Sequence, residues 1–230
     1  MNALPTVRTR QTSYQLQAAA ELELRRRRQP LTAKNQSPPD IAAWIASEVW
    51  IEQPQGGGVG LIPFALWPAQ QEALAVISAE RQVIVLKARQ LGLSWLVIAY
   101  AVWMVLHHRN QTVLVFSKDQ DSANEIVRRA GVIYKHLKNK PVTLEVDNVT
   151  QLSFGNGSRI KSFAATEDAG SSFTASLIIL DEFAKMRYAD TLYTSVKPTI
   201  NDGGRVVIIS TAKGEGNPFH KLWTGATKGE

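Results

Sequence analysis

The stretch Val83-Ile84-Val85-Leu86-Lys87-Ala88-Arg89-Gln90-Leu91-Gly92-Leu93-Ser94 passes from a continuous apolar run, through two cations and a glycine, into an apolar segment that lasts to His107. That change of pattern across a glycine reads as strand, loop and helix. Such a turn aims several backbone N–H groups and the positive end of a helix dipole at one point, which is how a phosphate is held. Against the pattern G-x-x-x-x-G-K followed by Ser or Thr, Gly92 and Ser94 match, Leu93 fills the lysine position, and Lys87 stands where the first glycine belongs. Phosphoryl transfer needs a cation near the β and γ oxygens, and Lys87 at the mouth of the loop or Arg89 within it is placed to deliver one. Alone, the segment reads equally as an ordinary strand-to-helix turn with two surface cations.

Working outward, the chain alternates: helix Trp67 to Ser78, strand Val83 to Leu86, helix Ser94 to His107, strand Thr112 to Phe116, helix Ser122 to Lys138. Strands that are apolar throughout, without alternation, are expected in a parallel sheet with helices on both faces. Two further buried strands follow at Ser176 to Leu180 and Arg205 to Ile209. Gln151 to Phe154 and Arg159 to Phe163 flank Gly155-Asn156-Gly157-Ser158, which reads as an antiparallel hairpin peripheral to that core. Upstream, Asp40 is placed to cap a helix from Ile41 to Trp50, and Gln55-Gly56-Gly57-Gly58 reads as a mobile loop. Residues 1–40 combine a possible helix, Tyr14 to Arg28, with a Pro-containing stretch; they form a basic arm and linker, and 41–230 form the folded domain.

The segment Leu177-Ile178-Ile179-Leu180-Asp181-Glu182 is a second motif, an apolar strand ending in two acids. In a Walker B element one such carboxylate holds magnesium and the next positions the attacking water. Side chains alternate across a strand, so one acid takes the metal side: Asp181 is read as the metal residue and Glu182 as the base. A buried D-E strand some 90 residues after a phosphate-loop candidate, with α/β units between, favours a nucleotide site over a plain turn. Val206-Val207-Ile208-Ile209-Ser210-Thr211-Ala212 releases two hydroxyls at a strand end, where α/β sheets bind ligands, and Ser210 and Thr211 are read as γ-phosphate sensors. Before the loop, the Gln70 amide offers the donor and acceptor an adenine edge requires, and Trp67 a flat apolar surface.

Composition narrows the class. At 230 residues, 44% hydrophobic and 20% charged, the chain is globular and large enough for a sizeable core. The absence of cysteine removes disulfides, zinc-thiolate and iron–sulfur sites and a thiol nucleophile. No apolar run reaches the roughly 18 residues a membrane span needs, and no secretory signal is evident, so the expected compartment is cytosol. Of the net charge of +6, residues 1–40 carry +4, from seven basic and three acidic side chains; the Arg25 to Arg28 run suits either nucleic-acid phosphates or a solvated face.

Over roughly residues 60–225 the chain resembles the ATPase half of the large terminase subunit of tailed bacteriophages. The likeness rests on Leu66-Trp67-Pro68-Ala69-Gln70, on Lys87-Ala88-Arg89-Gln90-Leu91-Gly92-Leu93-Ser94, on Phe154-Gly155-Asn156-Gly157-Ser158-Arg159-Ile160, on Asp181-Glu182-Phe183, and on Ser210-Thr211-Ala212 followed by Gly216 to Trp223. In that family the loop lysine commonly sits at the N-terminal end. The resemblance implies a P-loop NTPase fold of the additional-strand, conserved-glutamate type, and magnesium-dependent ATP hydrolysis that moves double-stranded DNA. It assigns Gln70, with Trp67, to adenine, and the loop Lys87, Ala88, Arg89, Gln90, Leu91, Gly92, Leu93 and Ser94 to ATP. Catalysis falls to Lys87, Arg89 and Glu182, Mg2+ to Ser94 and Asp181, and coupling to Ser210, Thr211 and Ala212. Implied partners are a portal protein, a small terminase subunit and further copies in a ring, in the cytoplasm of an infected bacterial host. A C-terminal nuclease is not expected in this chain, since after Ala212 only Glu215 and Glu230 are acidic. Ala165 to Ala175 lacks the arginine many members carry before the Walker B strand, leaving Arg128, Arg129, Arg159 and Arg187 as candidates for an interfacial finger. Two rival readings are a superfamily 2 helicase-like translocase, whose G-K loop is missing, and a non-catalytic assembly module with a decayed nucleotide site.

Overall fold

The computed structural model describes residues 38–55, 58–166, 174–201 and 203–228. The arm, including the helix expected at Tyr14 to Arg28, lies outside the described residues. Helix α1 (Ile41–Glu48) starts as expected, with Ala43 N donating to Asp40 Oδ1 at 2.9 Å. It stops earlier than Trp50, because the chain then turns into an antiparallel pair, β1 (Trp50–Gln55) and β2 (Gly58–Pro63). Gln55 and Gly58, expected in a loop, are instead partners in that ladder. Pro54, lacking a donor, is tolerated because a two-stranded ribbon is all edge.

Helix α2 (Pro68–Ala79) leads into β3 (Gln82–Leu86), and α3 (Leu93–His107) into β4 (Thr112–Ser117). Helix α4 (Gln120–His136) follows, with Asp119 Oδ1 accepting from Ser122 N at 2.7 Å as its N-cap. Then come β5 (Leu144–Asn148), β6 (Gln151–Phe154), β7 (Arg159–Ala164) and β8 (Leu177–Asp181). A single 3-10 turn (Phe183–Lys185), α5 (Ala189–Asn201), β9 (Arg205–Ser210) and α6 (Pro218–Lys228) complete the order. Seven strands form one sheet in the order β3-β9-β8-β4-β7-β6-β5. From β3 to β7 every pairing is parallel; β6 and β5 are added antiparallel. The expected hairpin is therefore β6–β7, and it is joined to the core because β7 pairs with β4. β8 and β9, late in the chain, stand between β3 and β4, the inserted-strand arrangement expected for this class of P-loop fold.

Both sheet faces are buried, which explains the unbroken apolar strands. Val113, Val115, Ile179, Val207 and Ile209 face α3 and α4; Leu114, Phe116, Ile178, Leu180, Val206 and Ile208 face the 3-10 turn, α5 and α6 through Phe183, Leu192 and Phe219. Helix α3 is buried nearly all round, from Trp95 to Val102 and Met104 to Leu106, as a helix apolar on every side must be. Its C-terminal carbonyls are met by the β6–β7 turn. Asn156, 5% exposed, donates to Val105 O at 2.8 Å and His108 O at 3.1 Å, and accepts from Ser158 N. Gly157 has φ 83°, and a side chain there would run into Asn110. No helix among the described residues is long and apolar enough to cross a membrane.

Candidate active site

Parallel register sets three strand ends side by side. Leu86 of β3 pairs with Ser210 of β9, and Ile209 of β9 pairs with Asp181 of β8. Lys87, Thr211 and Glu182, each the next residue in its segment, therefore leave the sheet at one edge, beyond the carboxyl ends where such sheets bind ligands. The β-ladder continues one step further, with Lys87 N donating to Ser210 O at 3.0 Å.

Lys87 joins the two principal motifs. Its Nζ donates to Ser94 Oγ at 2.8 Å and Asp181 Oδ1 at 3.0 Å, and lies 3.5 Å from Glu182 Oε1. Its position in the loop is displaced, yet its ammonium reaches the hydroxyl that follows the usual lysine position. The side chain is 9% exposed, and the carboxylates 13% and 19%, so these charges interact largely out of water. Ser94 Oγ is 3.5 Å from Asp181 Oδ1.

Strand alternation predicts opposite sides for Asp181 and Glu182, and the backbone overrides it. β8 ends at Asp181, and Glu182 takes a left-handed conformation, φ 55°, ψ 39°. That step swings its carboxylate onto the same cation as Asp181, at a backbone cost on the order of 1 kcal/mol. Burial alone would raise the Glu182 carboxyl. The Lys185 hydrogen bond, with the charges of Lys87 and Lys185 and the Thr211 hydroxyl, outweighs it and holds the group below its ordinary value, ionised at neutral pH. Thr211 Oγ1 donates to Glu182 Oε2 at 3.1 Å, and Lys185 Nζ stands 2.7 Å from the same oxygen. Sequence reading did not single out Lys185. The signal was its spacing, since residues i and i+3 eclipse on a 3-10 turn.

Ser210 and Thr211 separate. The Thr211 side chain faces the cleft, whereas the buried Ser210 hydroxyl accepts from Ala184 N at 3.0 Å and donates to Thr211 O at 2.9 Å, tying the 3-10 turn to β9. Ala212 is exposed just beyond.

The loop itself is shaped by two left-handed residues, Gln90 at φ 63° and Gly92 at φ 69°. A Cβ on Gly92 would sit 2.7 Å from Gln70 Nε2, so the loop needs glycine there for two reasons. Ala88, Arg89, Gln90 and Leu91 are exposed along the loop, and Leu93 opens α3. Gln70, 5% exposed, donates through Nε2 to Leu91 O at 2.9 Å and accepts at Oε1 from Trp67 N at 3.0 Å. Both ends of the amide thus brace α2 against the loop in this structure. Trp67, 61% exposed, stands on the rim.

A cleft of about 790 Å³ runs from Lys87, Glu182 and Thr211 along the loop to Trp67, β1 and Arg129. That volume lies in the roughly 300–1,000 Å³ class that holds small ligands. Of the four arginines singled out, Arg129 lines it, its Cζ 5.1 Å from the Trp95 ring centre and its Nε 2.9 Å from Glu125 Oε1. Arg128 instead pairs with Glu52 and Glu125; Arg159 is exposed at the start of β7, and Arg187 lies over the Tyr188 ring.

Among the described residues no cluster of three or more His, Cys, Asp or Glu forms a metal cage. Magnesium does not need one, because it takes one or two protein oxygens and leaves the rest to phosphate and water. A hydroxyl and an acid oxygen 3.5 Å apart, Ser94 and Asp181, fit that habit.

A family model described as terminase large subunit, T4likevirus-type, N-terminal, matches residues 84–230. Among solved structures, a mutant ATPase domain of the Thermus phage P74-26 large terminase aligns with a TM-score of 0.57 at 20% identity, covering 69% of this chain and 70% of that one. The large terminase of bacteriophage HK97 aligns with a TM-score of 0.63 at 15% identity, over 83% of this chain and 41% of its own length. Likeness at these identities carries the fold, and the fold is the one described above.

Proposed function

This chain belongs to the terminase large subunit family, T4likevirus-type, and from that premise we propose that it hydrolyses ATP with magnesium to drive double-stranded DNA into a procapsid. One observation carries the reading. Lys87 Nζ bridges Ser94 at 2.8 Å and Asp181 at 3.0 Å, so a phosphate-loop candidate and an acid pair 94 residues apart in sequence make one site.

In this reading the exposed backbone from Ala88 to Gly92 and the N-terminus of α3 hold the phosphates. Lys87 and Arg89 bring positive charge to the β and γ oxygens. Ser94 and Asp181 would hold magnesium, which neutralises the triphosphate when bound. Glu182, ionised, orients a water: as the oxygen attacks the γ-phosphorus, the bond to the β–γ bridging oxygen breaks, ADP leaves with that electron pair, and Glu182 Oε1 accepts the proton. Thr211 links this carboxylate to the end of β9 and is the coupling residue best placed to feel its state. Trp67 offers its exposed ring to the base. Double-stranded DNA, a portal protein, a small terminase subunit and a ring of copies on the portal are the proposed partners, in the host cytoplasm, with the basic arm 1–40 supplementing DNA contact through its phosphate-neutralising charge.

The test is magnesium-dependent phosphate release from ATP by the chain, Glu182→Gln and Lys87→Ala at equal concentration. Glu182→Gln is expected to lower turnover by about 100-fold, the low end of the range for a general base. Lys87→Ala should abolish it. Unchanged turnover in Glu182→Gln refutes the assignment.

A further inference from the structure

The two acids of the site are not held alike. Among the described residues Asp181 has one cation partner, Lys87 at 3.0 Å. Glu182 has two: Lys87 at 3.5 Å on Oε1, and Lys185 at 2.7 Å on Oε2. Thr211 Oγ1 donates to that same Oε2 at 3.1 Å, so one oxygen is doubly tethered from the side away from Lys87. The tether has a rigid mount. Lys185 closes the 3-10 turn, whose Lys185 N donates to Glu182 O at 2.8 Å, while the turn is pinned to β9 through Ala184 N and Ser210 Oγ, and Phe183 and Ala184 are buried beneath it.

We propose that Lys185 is a positioning residue: it fixes Glu182 through Oε2, so that Oε1 keeps facing the cleft once Lys87 turns to a nucleotide. The proposal rests on the ATPase reading above. Its logic is the difference between the acids. Drawing Lys87 toward a triphosphate releases Asp181 from its cation and frees it for magnesium, but leaves Glu182 anchored by Lys185 and Thr211. Without Lys185 the carboxylate would keep one neutral hydrogen bond and a left-handed backbone, and would sample other rotamers. Oriented carboxylates lose much of their effect when their geometry loosens by about 1 Å. Lys185 does not line the cleft, so its removal leaves the nucleotide contacts in place.

The experiment compares full chains of the original sequence, Lys185→Met, Lys185→Arg and Lys87→Ala, measuring kcat and KM for magnesium-ATP, with binding of a fluorescent non-hydrolysable ATP analogue alongside. Lys185→Met should lower kcat by about 10- to 100-fold, the loss expected from a misplaced catalytic group. KM and analogue affinity should stay within about twofold, Lys185→Arg should recover most of kcat, and Lys87→Ala should weaken the analogue. An unchanged kcat in Lys185→Met overturns the positioning role while the ATPase reading stands. So does a parallel loss of analogue binding in Lys185→Met, because that outcome makes Lys185 part of the binding surface or the scaffold. Absence of turnover in the original chain, with the analogue bound, overturns the ATPase reading and the positioning role with it.

Discussion

The two ends of the cleft are built by different physics. At one end Lys87, Asp181, Glu182 and Thr211 stand at the tips of three adjacent parallel strands, and the ladder register decides which side chains meet. At the other, β1 and β2 form a two-stranded ribbon, tied to α4 by Arg128, which pairs with Glu52 and Glu125 from a position 48% exposed. The strand-tip end is mounted on a core buried on both faces, where a shift of one group disturbs many neighbours. The ribbon end meets the core through Ile51 and Ile62 and is otherwise tied by partly exposed ion pairs, which contribute little and are weakened by salt. The first kind of mount is the one that can hold fixed distances.

Three substitutions probe that contrast, beyond the kinetic tests above. Phe64, 3% exposed, leads from β2 toward α2 and packs in the main core. Phe64→Ala is expected to cost about 3 kcal/mol, from lost burial and the cavity left behind, read as a lower urea midpoint. A cost below about 1 kcal/mol would mean that the ribbon is anchored by its ion pairs after all. Gly92→Ala must adopt φ 69° and displace Gln70 Nε2, for a cost of about 1–2 kcal/mol and weaker analogue binding. Normal stability and binding there would show that the loop relaxes freely and is not shaped by Gln70.

Arg128→Ala is expected to change stability least, by under about 1 kcal/mol at low salt. Its pH dependence has a definite sign. The Arg128 hydrogen bond, against burial, holds both the Glu52 and Glu125 carboxyls below their ordinary value of 4.5. A carboxyl depressed in the folded state contributes stability above its unfolded pKa and loses it as pH falls through the folded one. The gap between the original chain and Arg128→Ala should therefore be present at pH 7 and close below about pH 4.5, the ordinary carboxylate value. A gap that shows no change as pH falls below about 4.5 would assign the effect to packing of the arginine stem.

The same contrast separates what could be read in advance from what could not. β3, β4, β8 and β9 were legible because burial on two faces leaves uninterrupted apolar runs, and the loop because Lys87, Gly92 and Ser94 keep a recognisable spacing. The ribbon was not, since the run from Gln55 to Gly58 reads as a break in the sequence, yet Gln55 and Gly58 pair across the ladder. β5 was hidden by Glu145, Asp147 and Asn148, and α5 by Pro198 near its end. Within the site, the two acids were found, but their convergence was not. Alternation along β8 argues for opposite faces, and nothing in the residue type Glu announces a left-handed backbone. Gln70 was read as an adenine contact; that its amide is engaged at both ends, one of them on a carbonyl 21 residues away, is a relation only the fold creates.

Helix α3 begins at the phosphate loop and ends under Asn156, which holds the carbonyls of Val105 and His108. Fifteen residues at about 1.5 Å each make a rod about 22 Å long. Encased on nearly every side, it has no soft face to absorb a push by bending or rolling. It is a stiff strut, so the loop at its start and the β6–β7 turn at its end share one rigid mount across the body of the sheet.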